Sequence, residues 1–337
     1  MAHDIAMING RPALAYIGQM PWHELGTQLD SPPKSAEKVI QAANLDWEVE
    51  KKLVYAYDNG TLTAIPGYWA TYRADLWGTE NAKPFGLVGD EYNVLQNREA
   101  FRFFDEIIES GFVTYETAGA LGQGERVWVL AKVKKPMVIK GVDEVEKYLL
   151  LSNGHDGRTA VQIRFTPVRV VCQNTLNWAL ARGNDLTYSH HGRGMDSRIA
   201  RAQESVKRVL GYYDVLEQHF QQLARVPMPA GRLNVYLGAV FPNPKRRANQ
   251  TERNFAEALK RVARLRDTST RLFDEGRGNQ ETAIKHTLWA AYNAVTELVD
   301  HFLAYQDARQ RMESVCFGEG ERTKRLAFDE AMKLTRN

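Results

Sequence analysis

The chain has 337 residues, 44% of them hydrophobic and 25% charged, a composition that buries a sizeable core without staples. Its two cysteines, Cys172 and Cys316, are far apart and in no Cys-x-x-Cys pattern, which argues against a disulfide framework or a zinc site. No apolar run reaches the roughly 18 residues of a membrane span, and Met1 to Tyr16 has neither signal-peptide nor transit-helix character. A cytoplasmic chain with no membrane partner is the expectation.

In chain order, Trp47 to Tyr72 shows apolar alternation broken at Asp58-Asn59-Gly60, which predicts a hairpin, because the Asn-Gly pair tolerates positive φ. Asn97 to Ser110 places Ala100, Phe101, Phe104, Ile107 and Ile108 on one helical face, and Gly111 closes that helix. Val113 to Leu121 and Arg126 to Val133 form a second hairpin around Gly122-Gln123-Gly124. Tyr148 to Ser152 and Ala160 to Val171 form a third around Asn153 to Gly157, and Cys172 to Arg182 reads as a helix. Beyond Gly194 the period is helical: Ile199 to Ala224, Asn254 to Phe273 and Ala283 to Tyr305, with an exposed basic link from Phe241 to Arg247.

Strands grouped before helices predict an α+β fold: an antiparallel, hairpin-built sheet with packed helices over 1–192, then a mainly helical region over 193–337. No Gly-x-Gly-x-x-Gly follows a strand and no Walker loop occurs, so a dinucleotide or P-loop site is not expected.

The net charge of +3 conceals an asymmetry: residues 1–153 hold 15 basic and 21 acidic side chains, 154–277 hold 21 and 11, and 278–337 hold 8 and 9. A middle segment so basic attracts polyanions, of which phosphate backbones are the commonest in cells. Arg158, Arg164 and Arg169 lie in or beside the strand 159–171, with alternation placing Arg158 and Arg164 on one face; Arg182 follows. Arg193, Lys207 and Arg208 accompany the helix after Gly194, and Lys245, Arg246 and Arg247 crowd the link. Asn174 could bond a base or cap a helix. The competing expectation is plain: solvated helix faces, and arginines paired with carboxylates.

His155, Asp156, His190 and His191 would have to meet in space to make a metal site, and a turn accounts for the first two as well. Cys172, at an apolar strand end, reads as an inert thiol. Trp22-His23-Glu24 reads as an N-terminal arm ahead of a functional loop.

Pro21-Trp22-His23-Glu24-Leu25-Gly26, Gly124 to Ala131, Leu149 to Gly157, Thr166 to Leu176, Ala290 to His301 and Phe317-Gly318 together resemble, in order, the phage/plasmid-like protein family, a domain of unknown function (932). The family pattern carries a serine-like residue where Gly154 stands. The resemblance implies a gene of phages, plasmids or integrated elements in a bacterial cytoplasm, and transfers no catalytic residues. By fold-level analogy, hairpins followed by a helix with basic residues on the last strand also describe phage single-strand annealing proteins.

The expectation is therefore a nucleic-acid-binding protein of a phage or plasmid, with DNA as partner, assembled as a homo-oligomer, acting in annealing, recombination or replication, and needing no cofactor. A binding role is expected ahead of an enzymatic one. Two alternatives stand beside it: a metal-dependent nuclease built on the histidines, and a phage factor that binds a host protein.

Overall fold

The computed structural model describes residues 5–18, 25–102, 105–109, 111, 113–169, 174–175, 187–188, 213–306, 310–311, 314–315 and 318–336. Its chain divides into two compact units: Met1–Lys134, Tyr148–Phe165 and Leu180–Leu210 form one; Lys135–Lys147, Thr166–Ala179 and Gly211–Asn337 form the other. The division is interleaved because three long strands contribute to both.

The first unit holds a three-stranded sheet and most of a larger one. In the larger, the order is β12 (Asn174–Thr175), β11 (Val161–Arg169), β10 (Asp143–Gly154), β9 (Arg126–Ile139), β8 (Val113–Leu121), β3 (Leu14–Ile17), β4 (Thr27–Leu29), with β13 (Thr187–Tyr188) also beside β11. β8 pairs antiparallel with β9 and β3, and the edge pair β3 and β4 is parallel. The smaller sheet orders β5 (Val49–Asp58), β6 (Thr61–Arg73) and β7 (Gly86–Val88). Asn59 at φ 46° and Gly60 at φ 86° turn β5 into β6, the doubly positive geometry that the Asn-Gly pair signals. Helices α1 (Ala36–Ala42), α2 (Asn97–Arg102) and α3 (Asp105–Glu109) complete this unit, and Gly111 at φ 78° ends the last of them as its sequence predicts.

The second unit is mainly helical: α4 (213–223), α5 (Ala230–Val240), α6 (Glu252–Glu275), α7 (Leu288–Glu297) and α8 (Glu319–Leu334). Every residue of α7 is buried, so it is the core element around which the others pack. Phe220 of α4, Trp289 and Tyr292 of α7 and Phe328 of α8 form its aromatic centre, with ring centroids 4.6 Å apart for Phe220 and Trp289 and 5.7 Å for Tyr292 and Phe328. α+β is thus the fold class.

Three local expectations need correcting. Asn174–Thr175, inside the span expected as a helix from Cys172 to Arg182, is a strand, β12, paired antiparallel with Val168 and Arg169 of β11; the rest of that span lies outside the described residues. The helix expected from Ala283 begins at Leu288, where the Thr287 hydroxyl caps it by accepting from Ala290 N at 3.3 Å; its end passes into a π-helical turn, Leu298–Phe302. Arg158 lies in the turn before β11, outside the strand, so alternation does not place it on a face with Arg164.

Candidate nucleic-acid interface

The helix α6 starts where Thr251 accepts a hydrogen bond from Asn254 N, with Glu252 in the first turn complementing the helix dipole. Its apolar face runs through Phe255, Val262, Ser269, Leu272 and Phe273, the last three buried. On the opposite side, Arg253, Lys260, Arg264 and Arg271 are all exposed. At 3.6 residues per turn they fall within about 20° of one line, with successive rises of about 10, 6 and 10 Å. Arg261, also exposed, flanks that line.

The basic link is tied to this helix at two places, one at mid-helix and one in the first turn. Arg266 donates from Nε (3.0 Å) and Nη2 (2.5 Å) to Phe241 O, and Arg246 pairs with Glu252 at 2.8 Å. Lys245, Arg246 and Arg247 are exposed beside the first turn of α6. Neutralisation is partial: Lys260 pairs with Glu257 at 3.2 Å and Arg271 with Glu275 at 3.8 Å. Lys245, Arg247, Arg253, Arg261 and Arg264 have no ion-pair partner among the described residues. Exposed pairs contribute only about 0–1 kcal/mol, so an incoming phosphate can displace those that exist.

The other expected contacts are distributed differently. Arg158 is exposed in the first unit, its backbone N donating to Asp156 Oδ1 at 2.9 Å. Arg164 and Arg169 lie in β11, and Arg169 stands across from Asn174 of β12 in the strand register. Arg182, Arg193, Lys207, Arg208, His190 and His191 lie outside the described residues, as does the expected arm at Trp22.

His155 and Asp156 are engaged in building the first unit. His155 is fully buried; its Nε2 lies 3.0 Å from Asn97 Oδ1, its backbone N donates to Glu125 O at 2.7 Å, and its carbonyl accepts from the Thr71 hydroxyl at 2.6 Å. The rings of Phe85 and Trp47 enclose its imidazole at 6.0 and 5.7 Å. Asp156 accepts from Arg158 N, Thr159 N and the Thr159 hydroxyl. Burial would raise its carboxyl, but these hydrogen bonds and the nearby Arg126 outweigh it and hold the group below the usual carboxylate range. Neighbouring glycines are sterically required: a Cβ on Gly86 would sit 2.1 Å from Asp156 O, and one on Gly154 2.3 Å from Thr159 Cβ. Among the described residues no group of three or more His, Cys, Asp or Glu is placed to hold a metal.

Sequence reasoning passed over a buried ion pair in the second unit. Lys324 Nζ of α8 lies 2.7 Å from Asp300 Oδ1, in the π-helical turn after α7, and the two side chains are 0% and 2% exposed. Asp300, at the end of a largely apolar helical stretch, was the available signal; Lys324, among Glu321, Arg322 and Arg325, gave none. Trp289 Nε1 adds a buried bond to Asp143 Oδ2 at 2.7 Å.

Residues 84–323 match the family described as a domain of unknown function, DUF932. The chain belongs to that family. No curated protein and no solved structure matches it. The DUF932 span includes the His155 turn, the basic link, α6 and the buried Asp300, while β3 to β6 precede it. Among the described residues no helix is long and apolar enough to cross a membrane.

Proposed function

We propose that this DUF932 chain is a nucleic-acid-binding protein of a phage or plasmid, working in a bacterial cytoplasm as a homo-oligomer and gripping DNA by its phosphates. The observation that carries the proposal is the exposed line Arg253, Lys260, Arg264 and Arg271 on α6, extended at its start by Lys245, Arg246 and Arg247 and lying opposite the helix's apolar face. Such a line contacts phosphates without reading bases, which suits annealing, recombination or replication accessory work. Arg164 and Arg169 on β11 and Arg158 beside it are further candidate contacts, as are Arg182, Arg193, Lys207 and Arg208. The engagement of His155 and Asp156 in a turn weighs against the metal-dependent nuclease.

Retention of single- and double-stranded DNA on filters at low salt tests the proposal. Binding that falls steeply as salt rises is expected, and R253E/R264E weakens it for every sequence alike. Absence of retention of any DNA or RNA at low salt overturns it.

A further inference from the structure

The β5 and β6 hairpin continues well past its sheet. β7 pairs with β6 only at Trp69, Ala70 and Thr71, so beyond Leu53 the hairpin is a two-stranded ribbon, whose register shifts between Leu53 and Tyr55, where residues 65–68 of β6 bulge opposite Val54. Its apolar side chains face solvent: Leu53 is 43% exposed, Tyr55 50%, Tyr57 73% and Leu62 66%. Leu53, Tyr55 and Tyr57 share one face by alternation, and Leu62 stands directly across from Tyr57. An isolated two-stranded ribbon is marginal in water, and a long apolar edge strand is a template for another strand. β5 is the outer strand of its sheet, with no strand paired along its free edge among the described residues.

We infer that this free edge of β5 pairs antiparallel with the same edge of a second copy of the chain, about a two-fold axis at Tyr55. The strand is complementary to itself in that register. Lys52 falls opposite Asp58 of the second copy, Leu53 opposite Tyr57, Val54 opposite Ala56 and Tyr55 opposite Tyr55, and each of the first three pairs occurs twice. Opposite charges and aromatic-aliphatic pairs are the combinations that stabilise facing strands. Neighbouring registers fail: a two-residue slip one way sets Glu50 against Asp58, and the other sets Asp58 against Val54 and leaves Lys52 without a carboxylate opposite. Asp58 has no ion-pair partner within its own chain among the described residues, and Lys52, which pairs with Glu50 at 2.5 Å, can bridge both carboxylates.

Charge also selects against a polyanion here. Asp58 is the single charged residue between Leu53 and Tyr68, so nothing in the ribbon attracts phosphate. Two ribbons joined by their β5 edges make a four-stranded sheet with a continuous tyrosine- and leucine-bearing face, an isologous contact that closes at two copies. The inference rests on the oligomer named above and is independent of DNA binding.

The test is the mass of the full-length, nucleic-acid-free protein by sedimentation across a concentration series, with a thermal melt on each variant. The wild type dimerises; D58K, which sets Lys52 against lysine twice, weakens self-association about tenfold or more, and the swap K52D/D58K restores it. As a second readout, Y55C cross-links to its own copy under mild oxidation beyond the wild-type background, whereas Y57C, opposite Leu53, does not. A wild type that stays monomeric to its solubility limit, a D58K that associates as the wild type does, or equal cross-linking of Y55C and Y57C overturns the inference. Because no DNA is present, that failure leaves the DNA-binding proposal standing, and loss of DNA retention leaves the dimer standing.

Discussion

Asp156 and Lys324 show what single side chains do here. Three hydrogen bonds from Arg158 and Thr159 converge on the Asp156 carboxylate and close the turn between β10 and β11. Truncation in D156A strands those donors and should lower stability by about 1–3 kcal/mol at neutral pH, read from urea unfolding. Folding depresses this group, so its contribution is present above the unfolded-state value and is lost as pH falls through the folded one. The gap between wild type and D156A therefore narrows on acidification; a gap unchanged across the acid range contradicts that role. Lys324 and Asp300 are a buried pair, and K324M leaves a carboxylate buried without its cation, at a cost of about 3–5 kcal/mol. K324M/D300L removes both charges and should recover most of that loss; a double variant no better than K324M would mean the pair does more than neutralise itself.

Among the elements, those whose local chemistry agrees with their setting were legible beforehand. The hairpin at Asn59-Gly60, the stop at Gly111 and the amphipathic α6 each follow from one strong local signal, positive φ or a 3.6-residue stripe, that nothing overrides. Asn174 misled because a polar residue after a strand also resembles a helix cap, and only the cross-strand partners Val168 and Arg169 decide for β12. The start of α7 misled because Ile284 continues the apolar period while the Thr287 cap sets the boundary. For the candidate interface, the basic link and the helix were legible from residue counts; the line of Arg253, Lys260, Arg264 and Arg271 emerges once the burial of Leu272 and Phe273 fixes which side of α6 faces inward. Since that line touches no core, R253E/R264E should leave stability within about 0.5 kcal/mol of wild type while reducing DNA retention. A melt shifted by more than that would tie these arginines to folding instead.

For the molecule as a whole, the proposed function and the proposed dimer would assign complementary tasks to different parts. A tyrosine ribbon whose single charge is Asp58 suits a second copy of the chain, the glycine-dependent His155 turn secures the first unit, and the cationic helix of the second suits a polyanion. Multiple copies would present several such helices to one strand and raise avidity beyond that of any single contact.

The decisive measurement is the slope of log affinity against log salt for single-stranded DNA, compared between wild type and R253E/R264E at equal oligomer mass. A steep negative slope that becomes shallower by about 1–2 in the variant is the expected result, since each phosphate contact contributes about 0.7. A wild-type slope near zero, or one unaltered by losing both arginines, would contradict phosphate binding by α6.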